Sequence, residues 1–436
     1  MVFTPSPRAA ALPPPQRLTI QALGGLADGI ARLPSGEAVL VAGGLPGDDA
    51  TVRITSRAKG ILRGEIAQLH QPASERVTPP CSAFGQCGGC DLQHLAQPAQ
   101  AIHKLSWLQR ALGRDAIAAE LAAAVEPRGH RRRARMHLRR VGRGMGLGML
   151  TARSDQLAFI QTCLALDPQL EALRKRVPPL LAQAIETGEL TAVVGRQGVI
   201  AALSAKPLYH VDPQIAQQIN AQALAEAWGL QGLSVHIGRF EDHWGLQEID
   251  LPEVDGPLTV RVDARGFCQA SPDANQQIRQ ILRQQLDSLG HFERIQEWYA
   301  GSGNLTGLLP GRAVRVRAIE SDLQACERLQ RSLDQAAVQN VDVVCSPVEQ
   351  ALSPPRGREL WLLDPGRQGA RELAEYAQMS PPDALIYVSC ALDTLGRDLA
   401  ILRQGGLRIV HAALVDAFPW TVHAEAVVTL LRDPQG

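Results

Sequence analysis

The sequence predicts a multidomain α/β protein with a small barrel at the amino end and a doubly wound domain at the carboxyl end. Its 436 residues exceed what one core of ordinary size organises. Short β-type runs separated by glycine and proline turns fill residues 17–69, and strand and helix patterns alternate from residue 261 onward. We expect a disordered tail over 1–16, an OB-like β-barrel over 17–75, an α+β central domain over 76–260 and a Rossmann-like domain over 261–436.

The barrel is expected from β-type runs at 18–22, 38–42 and 51–55, which are broken by Gly-Gly, Asp-Gly and Pro-Gly-Asp-Asp turns. A proline-containing linker over 71–80 follows. In the central region the patterns predict a helix over 102–112, strands within 190–204 and a helix over 213–228.

The alternation in the last domain is regular. We expect helices at 273–289, from Asn304 onward, at 323–336 and at 371–379. Strands are expected at 294–299, 313–319, 341–345 and 359–363, and a further apolar strand leads to Cys390.

Composition excludes some classes of protein. Lys+Arg and Asp+Glu both number 44, so the net charge argues neither for nor against a nucleic-acid partner. Neither a signal-peptide pattern nor an apolar run of membrane-spanning length occurs, so we expect a soluble cytoplasmic protein with no membrane association. Eight cysteines in a chain of this length do not make a disulfide scaffold. The sequence shows no obligate protein partner.

Four cysteines form a candidate metal site. Cys81, Cys87 and Cys90 have the spacing C-x5-C-x2-C, and Cys163 lies well downstream. Four thiolates can hold zinc or an iron–sulfur cluster. Three ligands on one glycine-containing loop with a distant fourth favour the iron–sulfur cluster. Zinc remains the alternative metal. A radical reaction is disfavoured, since a fourth protein ligand leaves no iron open to substrate.

Residues 128–143 form the densest basic segment of the chain. Clustered arginines with interleaved histidines suit phosphate contacts and base stacking, which predicts a nucleic-acid surface. A solvated strand face is the alternative interpretation.

A strand, a Gly-x-Gly turn at Gly301 and Gly303 and a second strand ending in Glu320 indicate a nucleotide-type site. Such turns let the backbone approach a ligand, and the acid accepts ribose hydroxyls. Thr306 stands where a dinucleotide fingerprint has its third glycine, which favours S-adenosylmethionine over NAD.

Cys390 ends an apolar strand and precedes an amphipathic helix. The positive end of a helix stabilises a thiolate, so a nucleophilic role is reasonable, and a buried structural thiol is equally open. Asp364 ends another apolar strand, and Glu425 lies near the carboxyl end. Either acid alone could be an ordinary loop residue. Only the two acids together with Cys390 indicate a functional site.

Taken together these segments resemble the RNA 5-methyluridine methyltransferase family, whose members methylate carbon 5 of uridine. The resemblance covers an amino-terminal TRAM barrel, a four-cysteine [4Fe-4S] site and a carboxyl-terminal methyltransferase domain. Transfer RNA members are expected to lack the cluster and the barrel, so the resemblance implies 23S ribosomal RNA as the partner.

The resemblance also implies residue roles. Cys390 would be the nucleophile that adds to uracil, and Glu425 the base. The cluster ligands would be Cys81, Cys87, Cys90 and Cys163. The S-adenosylmethionine pocket would be lined by Gln269, Tyr299, Gly301, Gly303, Asn304, Glu320 and Asp364.

Three positions depart from the family pattern. Ser271 stands for an asparagine, Gly366 for the second proline of Asp-Pro-Pro-Arg, and Ala391-Leu392 for Asn/Asp-Pro after the cysteine. These three departures leave open how well the substrate RNA fits the site and how fast the reaction runs. The alternatives are the same chemistry on another ribosomal or transfer RNA uridine, and a noncatalytic RNA-binding protein.

Overall fold

The computed structural model describes residues 12–113, 117–152 and 154–433. Most of the tail predicted over 1–16 lies outside the described residues. The chain forms two compact units. The first comprises Met1–Pro80, Cys90–His103 and Trp420–Val422, and the second comprises Cys81–Gly89, Lys104–Pro419 and His423–Gly436.

Twenty-two strands are assigned within the described residues. They are β1 Gln16–Thr19, β2 Ala22–Leu23, β3 Asp28–Arg32, β4 Ala38–Ala42, β5 Asp49–Ala58, β6 Ile61–Gln71, β7 Glu120–Leu121, β8 Arg133–Val141, β9 Gly144–Gly148, β10 Ile185–Gly195, β11 Gly198–Pro207, β12 Gly232–Ile237, β13 Phe240–Gly245, β14 Glu248–Asp250, β15 Arg261–Asp263, β16 Phe292–Trp298, β17 Ala313–Glu320, β18 Val341–Cys345, β19 Glu359–Leu363, β20 Ala384–Ser389, β21 Leu407–Val415 and β22 Glu425–Arg432.

The same residues contain nine α-helices. They are α1 Gln97–Leu112, α2 Pro168–Lys175, α3 Pro213–Gln218, α4 Ala221–Trp228, α5 Pro272–Leu289, α6 Leu323–Gln335, α7 Val348–Ala351, α8 Arg371–Met379 and α9 Leu392–Gln404. Short 3₁₀ helices occur at Pro179–Gln183 and Thr306–Leu308. No helix in these described ranges is both long and apolar enough to cross a bilayer.

The first unit contains a six-stranded sheet in the order β1-β5-β6-β4-β3-β2. Its neighbours are antiparallel except β4 and β6, which are parallel. Alternate residues of these strands, such as Val39 and Val41 on β4, are buried in one apolar cluster. This period of two is what the glycine-separated β-type runs predicted.

The second unit contains a six-stranded sheet in the order β13-β12-β11-β10-β8-β9. One of its apolar clusters includes residues of α2 and α4, and another includes residues of β14 and β15. The two clusters take alternate residues of β11, as Leu203 and Ala202 show. The sheet is therefore buried on both faces.

An eight-stranded sheet with the order β18-β17-β16-β19-β20-β22-β21-β7 completes the second unit. The five strands from β18 to β20 are parallel, and β22 is antiparallel to β20. Leu360 and Leu362 of β19 join a cluster with α5 and α6, whereas Trp361 and Leu363 join a cluster with α8 and α9. Helices on both faces make this a doubly wound α/β architecture.

Two expected helices differ from the structure. The helix expected from Asn304 is only the short 3₁₀ turn Thr306–Leu308. Gly307 and the nearby Pro310 disfavour a longer helix. The helix expected over 213–228 is two helices, since Asn220 starts α4 anew by accepting a hydrogen bond from the Ala223 amide at 2.8 Å.

A buried ion pair crosslinks distant parts of the second unit. Lys104 Nζ lies 2.5 Å from Asp416 Oδ1, and the two side chains are 0% and 6% exposed. The Lys104 ammonium also donates to the Phe418 carbonyl at 3.1 Å. Burying both charges is costly, so the pair depends on each partner neutralising the other.

We expect Lys104→Met to lower the free energy of unfolding by about 3–5 kcal/mol, since it leaves the Asp416 carboxylate buried without its cation. The double variant Lys104→Met/Asp416→Leu should recover most of this loss, and guanidinium unfolding followed by tryptophan fluorescence measures both. Lys175→Met is the matched control, because Lys175 pairs with Glu171 but is 49% exposed, and its loss should cost less than about 1 kcal/mol. A double variant as unstable as Lys104→Met would contradict the ion-pair explanation.

Candidate active site

The carboxyl ends of the parallel strands bring most of the predicted site residues to one edge of the eight-stranded sheet. In chain order, the residues that end or follow these strands are Tyr299, Gly301, Glu320, Asp364 and Cys390. Strand β22 runs in the opposite direction and pairs Ala426 with Ser389, so its first residue, Glu425, lies at the same edge. Ligands of doubly wound proteins bind at such an edge.

The glycine turn after β16 has an unusual backbone. Tyr299, Gly301 and Gly303 have φ angles of 63°, 56° and 95°. A Cβ at Gly303 would lie 2.6 Å from Leu329 Cδ1, so only glycine fits there. A Cβ at Gly301 would meet nothing within 4 Å, which leaves open space beside the turn. Burial raises the pKa of Tyr299 to about 12.

Glu320 ties the glycine turn to the start of α6. Its Oε2 accepts a hydrogen bond from the Gly301 amide at 2.9 Å. Its Oε1 accepts from the amides of Ser321 and Asp322 at 2.6 and 2.8 Å. The carboxylate is thus oriented by backbone groups at the end of β17, where an acid that binds ribose is expected.

A polar network orders Asn304. The Asn304 and Asn275 side-chain amides exchange two hydrogen bonds of 2.9 Å. Asn275 Nδ2 also donates to Glu253 at 3.0 Å, and Glu253 forms a buried ion pair with Arg132. This network holds the amide that follows the glycine turn.

Arg132 continues this network to Gln269. Its Nε donates to the Gln269 carbonyl at 3.0 Å, and its backbone amide donates to Ala270 at 2.9 Å. Gln269 is 5% exposed and precedes α5. The structure therefore connects two predicted cofactor residues, Asn304 and Gln269, through side chains that the sequence analysis did not assign.

Cys390 lies in an electrostatic group with two acids and an arginine. Burial, followed by the charges of Glu425 and Asp364, raises the pKa of the Cys390 thiol to about 11. Arg367 acts in the opposite direction. Burial also raises the pKa of Asp364 to about 7 and, with the charge of Asp364, raises that of Glu425 well above its usual range.

Cys390 precedes α9 by two residues, at the helix end where the sequence placed it. In the protein without ligands, burial and the neighbouring acids raise the pKa of its thiol and so act against the helix end. The nucleophilic role stays a prediction. Cys390 is half-buried. A thiol with a raised pKa must lose its proton before it can attack carbon.

The sequence analysis missed one acid at this edge. Glu297 is the sixth residue of β16, two positions before Tyr299, and is 2% exposed. Burial, and then the charge of Asp364, raises its pKa to about 8. Its signal was an acidic residue next to Trp298 near the end of a central strand, where burial of a carboxyl group is costly unless the group has a role.

Three of the four predicted metal ligands share one apolar cluster in the second unit. Cys81, Cys87 and Cys163 pack there with Ala83, Met149, Ala158 and Ile160. The Gly89 amide donates to Cys87 Sγ at 3.4 Å, and a Cβ at Gly89 would lie 3.4 Å from that sulfur. Cys90 is half-buried and belongs to the first unit. Across the described ranges, no set of three or more potential ligands is already arranged to hold a metal ion.

The basic segment over 128–143 is only partly free surface. Ala134, Met136 and Leu138 of β8 enter the core, so the residues between them point outward. Arg132 is buried, as described above. Arg135 remains exposed, with its side chain at 66%. The solvated-face and nucleic-acid interpretations both stay open on this geometry.

Comparisons with known proteins agree with this architecture. Residues 15–67 match the TRAM domain family. The 23S rRNA (uracil(1939)-C(5))-methyltransferase RlmD of Pectobacterium atrosepticum is 30% identical over 430 residues, which cover 95% of this chain and 93% of the relative. RlmD of Chromohalobacter salexigens is 31% identical over 439 residues, which cover 96% and 90%.

The chain belongs to the RlmD family.

A solved structure shares the fold of this RlmD family member. Pyrococcus abyssi tRNA (uracil-54, C5)-methyltransferase in complex with S-adenosyl-L-homocysteine matches with a TM-score of 0.70 and 22% identity, over 95% of this chain and 99% of that one. A match of this extent includes at least part of the amino-terminal barrel. The expectation that transfer RNA enzymes lack the barrel therefore does not hold generally, and the fold alone does not select the RNA.

The structure gives a reason for two of the three departures from the family pattern, at Ser271 and Gly366, and none for Ala391. Ser271 caps α5 by accepting from the Ala274 amide at 3.3 Å, a role that asparagine also fills. A Cβ at Gly366 would meet nothing within 4 Å, so the proline is not needed for packing. Ala391 takes the cap position of α9 without a side-chain hydrogen bond.

The electrostatic group around Cys390 predicts opposite effects of two substitutions on the thiol. Asp364, whose pKa is about 7, is ionised at pH 9, so Asp364→Asn should lower the pKa of Cys390. Arg367→Gln should raise it. We expect the rate of Cys390 alkylation by iodoacetamide at pH 9 to rise or fall by about threefold to tenfold respectively. Peptide mass spectrometry measures this rate for Cys390 alone.

Arg403→Gln is the control for these variants, since Arg403 lies in the last turn of the same helix, α9. It should leave the alkylation rate unchanged. Equal rates in all four proteins would refute the charge coupling.

Proposed function

We propose that this protein transfers a methyl group from S-adenosylmethionine to carbon 5 of a uridine in 23S ribosomal RNA. The observation that carries the proposal is the meeting of Cys390 and Glu425 at the sheet edge beside the glycine turn. The activity printed for the RlmD relatives supports the same reaction.

The residues at the edge fit the cofactor. Open space lies beside Gly301, and the Glu320 carboxylate is oriented next to it. We propose that Gln269, Tyr299, Asn304 and Asp364 complete the pocket. S-adenosylmethionine supplies a methyl group on a positively charged sulfur. An edge that carries several buried acids favours such a cation.

Carbon 5 of uracil is too weak a nucleophile to accept a methyl group unaided. We propose that Cys390 Sγ adds to carbon 6, which places an electron pair at carbon 5 through the enolate. The thiol proton leaves as the sulfur–carbon bond forms. We propose Asp364 as its acceptor, because Asp364 is one of the two acids beside Cys390 and Glu425 must stay unprotonated for the next step.

After methyl transfer, carbon 5 holds one surplus hydrogen. We propose that Glu425 removes this proton, so that the sulfur–carbon bond breaks and the Cys390 thiolate is released. A buried carboxyl with a raised pKa is a stronger base than an exposed one, which suits the role. Its Oε2 has no hydrogen-bond partner among the described residues and is available for this proton.

We further propose that Cys81, Cys87, Cys90 and Cys163 hold a [4Fe-4S] cluster with a structural role. Thiols are the ligands that such clusters use. A cluster with four thiolates carries negative charge, and the positive charges of Arg131 and Arg174 act on the thiols in the apolar cluster. This set of four thiols supports the proposal. Zinc is the alternative, and the metal content of the purified protein distinguishes the two.

RNA is the proposed partner, with the TRAM match and the exposed arginines of the basic segment as support. A uracil within folded RNA must be extruded before Cys390 can reach it. The likeness to a transfer RNA enzyme supplies the second candidate, the same reaction on a transfer RNA uridine.

The decisive experiment is methyl transfer from labelled S-adenosylmethionine to unmodified 23S RNA. We expect 5-methyluridine at one site with the native protein and at least a 10³-fold slower reaction with Cys390→Ala, since the nucleophile is absent. Nucleoside analysis measures the product. With 5-fluorouridine RNA the native protein should form a stable covalent adduct, because fluorine cannot leave as a proton.

Glu425→Gln separates the two proposed roles. It should still form the adduct with ordinary RNA but release product slowly, so that the adduct accumulates. Cofactor binding by each variant confirms that the fold is intact. Transfer to transfer RNA alone would select the second candidate, and no transfer to either RNA by intact protein would favour a noncatalytic RNA-binding role.

The cluster proposal predicts about four irons and four sulfides per chain in anaerobically purified protein. Cys163→Ser should lose most of this iron together with the visible absorption of the cluster. Cys268→Ser, which changes a buried cysteine of another apolar cluster, should retain both. Zinc in place of iron, or full iron content in Cys163→Ser, would count against the proposal.

A further inference from the structure

Two cysteines that the proposed chemistry does not use converge on Glu320. Cys326 lies in the first turn of α6, is 4% exposed, and its thiol donates to the Glu320 carbonyl with a sulfur–oxygen distance of 3.5 Å. Cys345 ends β18 and stands opposite Glu320 in the parallel register of β17 and β18. The Ser346 amide, directly after it, donates to the same carbonyl at 2.8 Å.

The two cysteines are neighbours around the Glu320 carbonyl, since the Cys326 thiol donates to it and Cys345 stands opposite Glu320 on the adjacent strand. The pair is asymmetric, since Cys345 is exposed and Cys326 is buried. Burial, and then the neighbouring Cys345, raises the pKa of Cys326 to about 12. An oxidant from solvent therefore meets Cys345 first.

We propose that Cys326 and Cys345 are a modification site that forms a reversible disulfide in response to hydroperoxides, and that this disulfide weakens cofactor binding at Glu320. The second half rests on the proposed function, in which Glu320 holds the cofactor. The first half concerns only the two cysteines and is independent of the reaction.

The chemistry balances with a hydroperoxide as the oxidant. The Cys345 sulfur attacks the peroxide, the oxygen–oxygen bond breaks, and the products are a sulfenic acid and water or an alcohol. Cys326 sulfur then displaces the hydroxyl group from Cys345, and the Cys326 proton leaves with it as water. The two thiols lose two electrons and two protons in total. Cytosolic thiols reverse the step, as expected of a regulatory rather than a structural bridge.

The disulfide would change the surroundings of Glu320. A bridged Cys326 has no S–H group, so the Glu320 carbonyl loses that donor. The bond also fixes the end of β18 to the first turn of α6, on either side of the acid. Because the Glu320 carboxylate orients the Gly301 amide, a shift at Glu320 reaches the glycine turn. We expect the dissociation constant for the cofactor to rise about tenfold, within the usual range for coupled neighbouring sites.

The test uses the full chain, purified anaerobically. It is exposed to graded hydrogen peroxide, and free thiols are then blocked with iodoacetamide. Mass spectrometry of the linked peptides detects a Cys326–Cys345 disulfide. Calorimetry measures S-adenosylmethionine affinity before oxidation, after oxidation and after reduction with dithiothreitol, and iron content is followed in each sample to exclude cluster damage.

Cys345→Ser and Cys326→Ser remove either half of the pair, and the serine at 326 keeps an O–H donor for the Glu320 carbonyl. Both should keep the affinity of the reduced protein and lose its sensitivity to peroxide. Cys268→Ser is the matched control, since it removes a buried cysteine of another cluster and should stay as sensitive as the native protein.

A linked peptide with a reversible loss of affinity, absent from both pair variants, is the expected result. Oxidation of Cys345 to higher acids without a linked peptide would overturn the disulfide. A linked peptide with unchanged affinity would overturn its effect on the cofactor. Should the reduced protein bind no S-adenosylmethionine, the proposed function and the effect on affinity would both fall, and the linked peptide alone would still decide the disulfide.

Discussion

The burial of several acids at one sheet edge is the constraint on which the site depends. Glu297, Asp364 and Glu425 all have pKa values raised first by burial, which shows that their charged forms lack full compensation. Such groups destabilise the native state, and the surrounding structure must offset them. The strands beneath contribute mostly apolar burial, since every residue of β19 and of β20 is buried and most of these residues are apolar. The stability gained from burying these strands offsets the cost of the buried acids at their ends.

The same constraint acts on the Cys390 thiol. A cysteine at a helix end would ordinarily ionise more easily, yet Cys390 is driven the other way by desolvation and by Asp364 and Glu425. The exposed Arg367 compensates only in part. A thiol that stays protonated in the free protein is protected from oxidation and alkylation. The reactivity of Cys390 then depends on the charge of the molecule that binds beside it, so the thiol becomes reactive only when that molecule is bound.

Local sequence patterns predicted much of the fold and of the site, and the reason is that both are local. Strands 341–345 and 359–363 and helix 371–379 coincide with β18, β19 and α8, since apolar periodicity records burial. Strand ends likewise mark Glu320, Asp364 and Cys390. Long-range polar contacts leave no such pattern. Arg132 donates to Gln269 across 137 positions of the chain, but its place in the arginine-rich segment predicted an exposed nucleic-acid surface. The helix expected from Asn304 is absent because Gly307 and Pro310 disfavour it, and no sequence pattern indicated that the Asn275 amide holds Asn304 instead.

Excess acidity at the edge has one more consequence within the proposed function. Acids whose pKa values are raised by burial ionise more readily beside a cation, so such a site stabilises a cation more than a neutral molecule of the same shape. The methyl donor is a sulfonium, whereas the product left after transfer is a neutral thioether, so the acids favour the donor. The same cation adds to the effect of Arg367 and lowers the pKa of Cys390 when it is in place. Within the proposed function, the acids that raise the pKa of Cys390 in the free protein would therefore also favour the cation that lowers it.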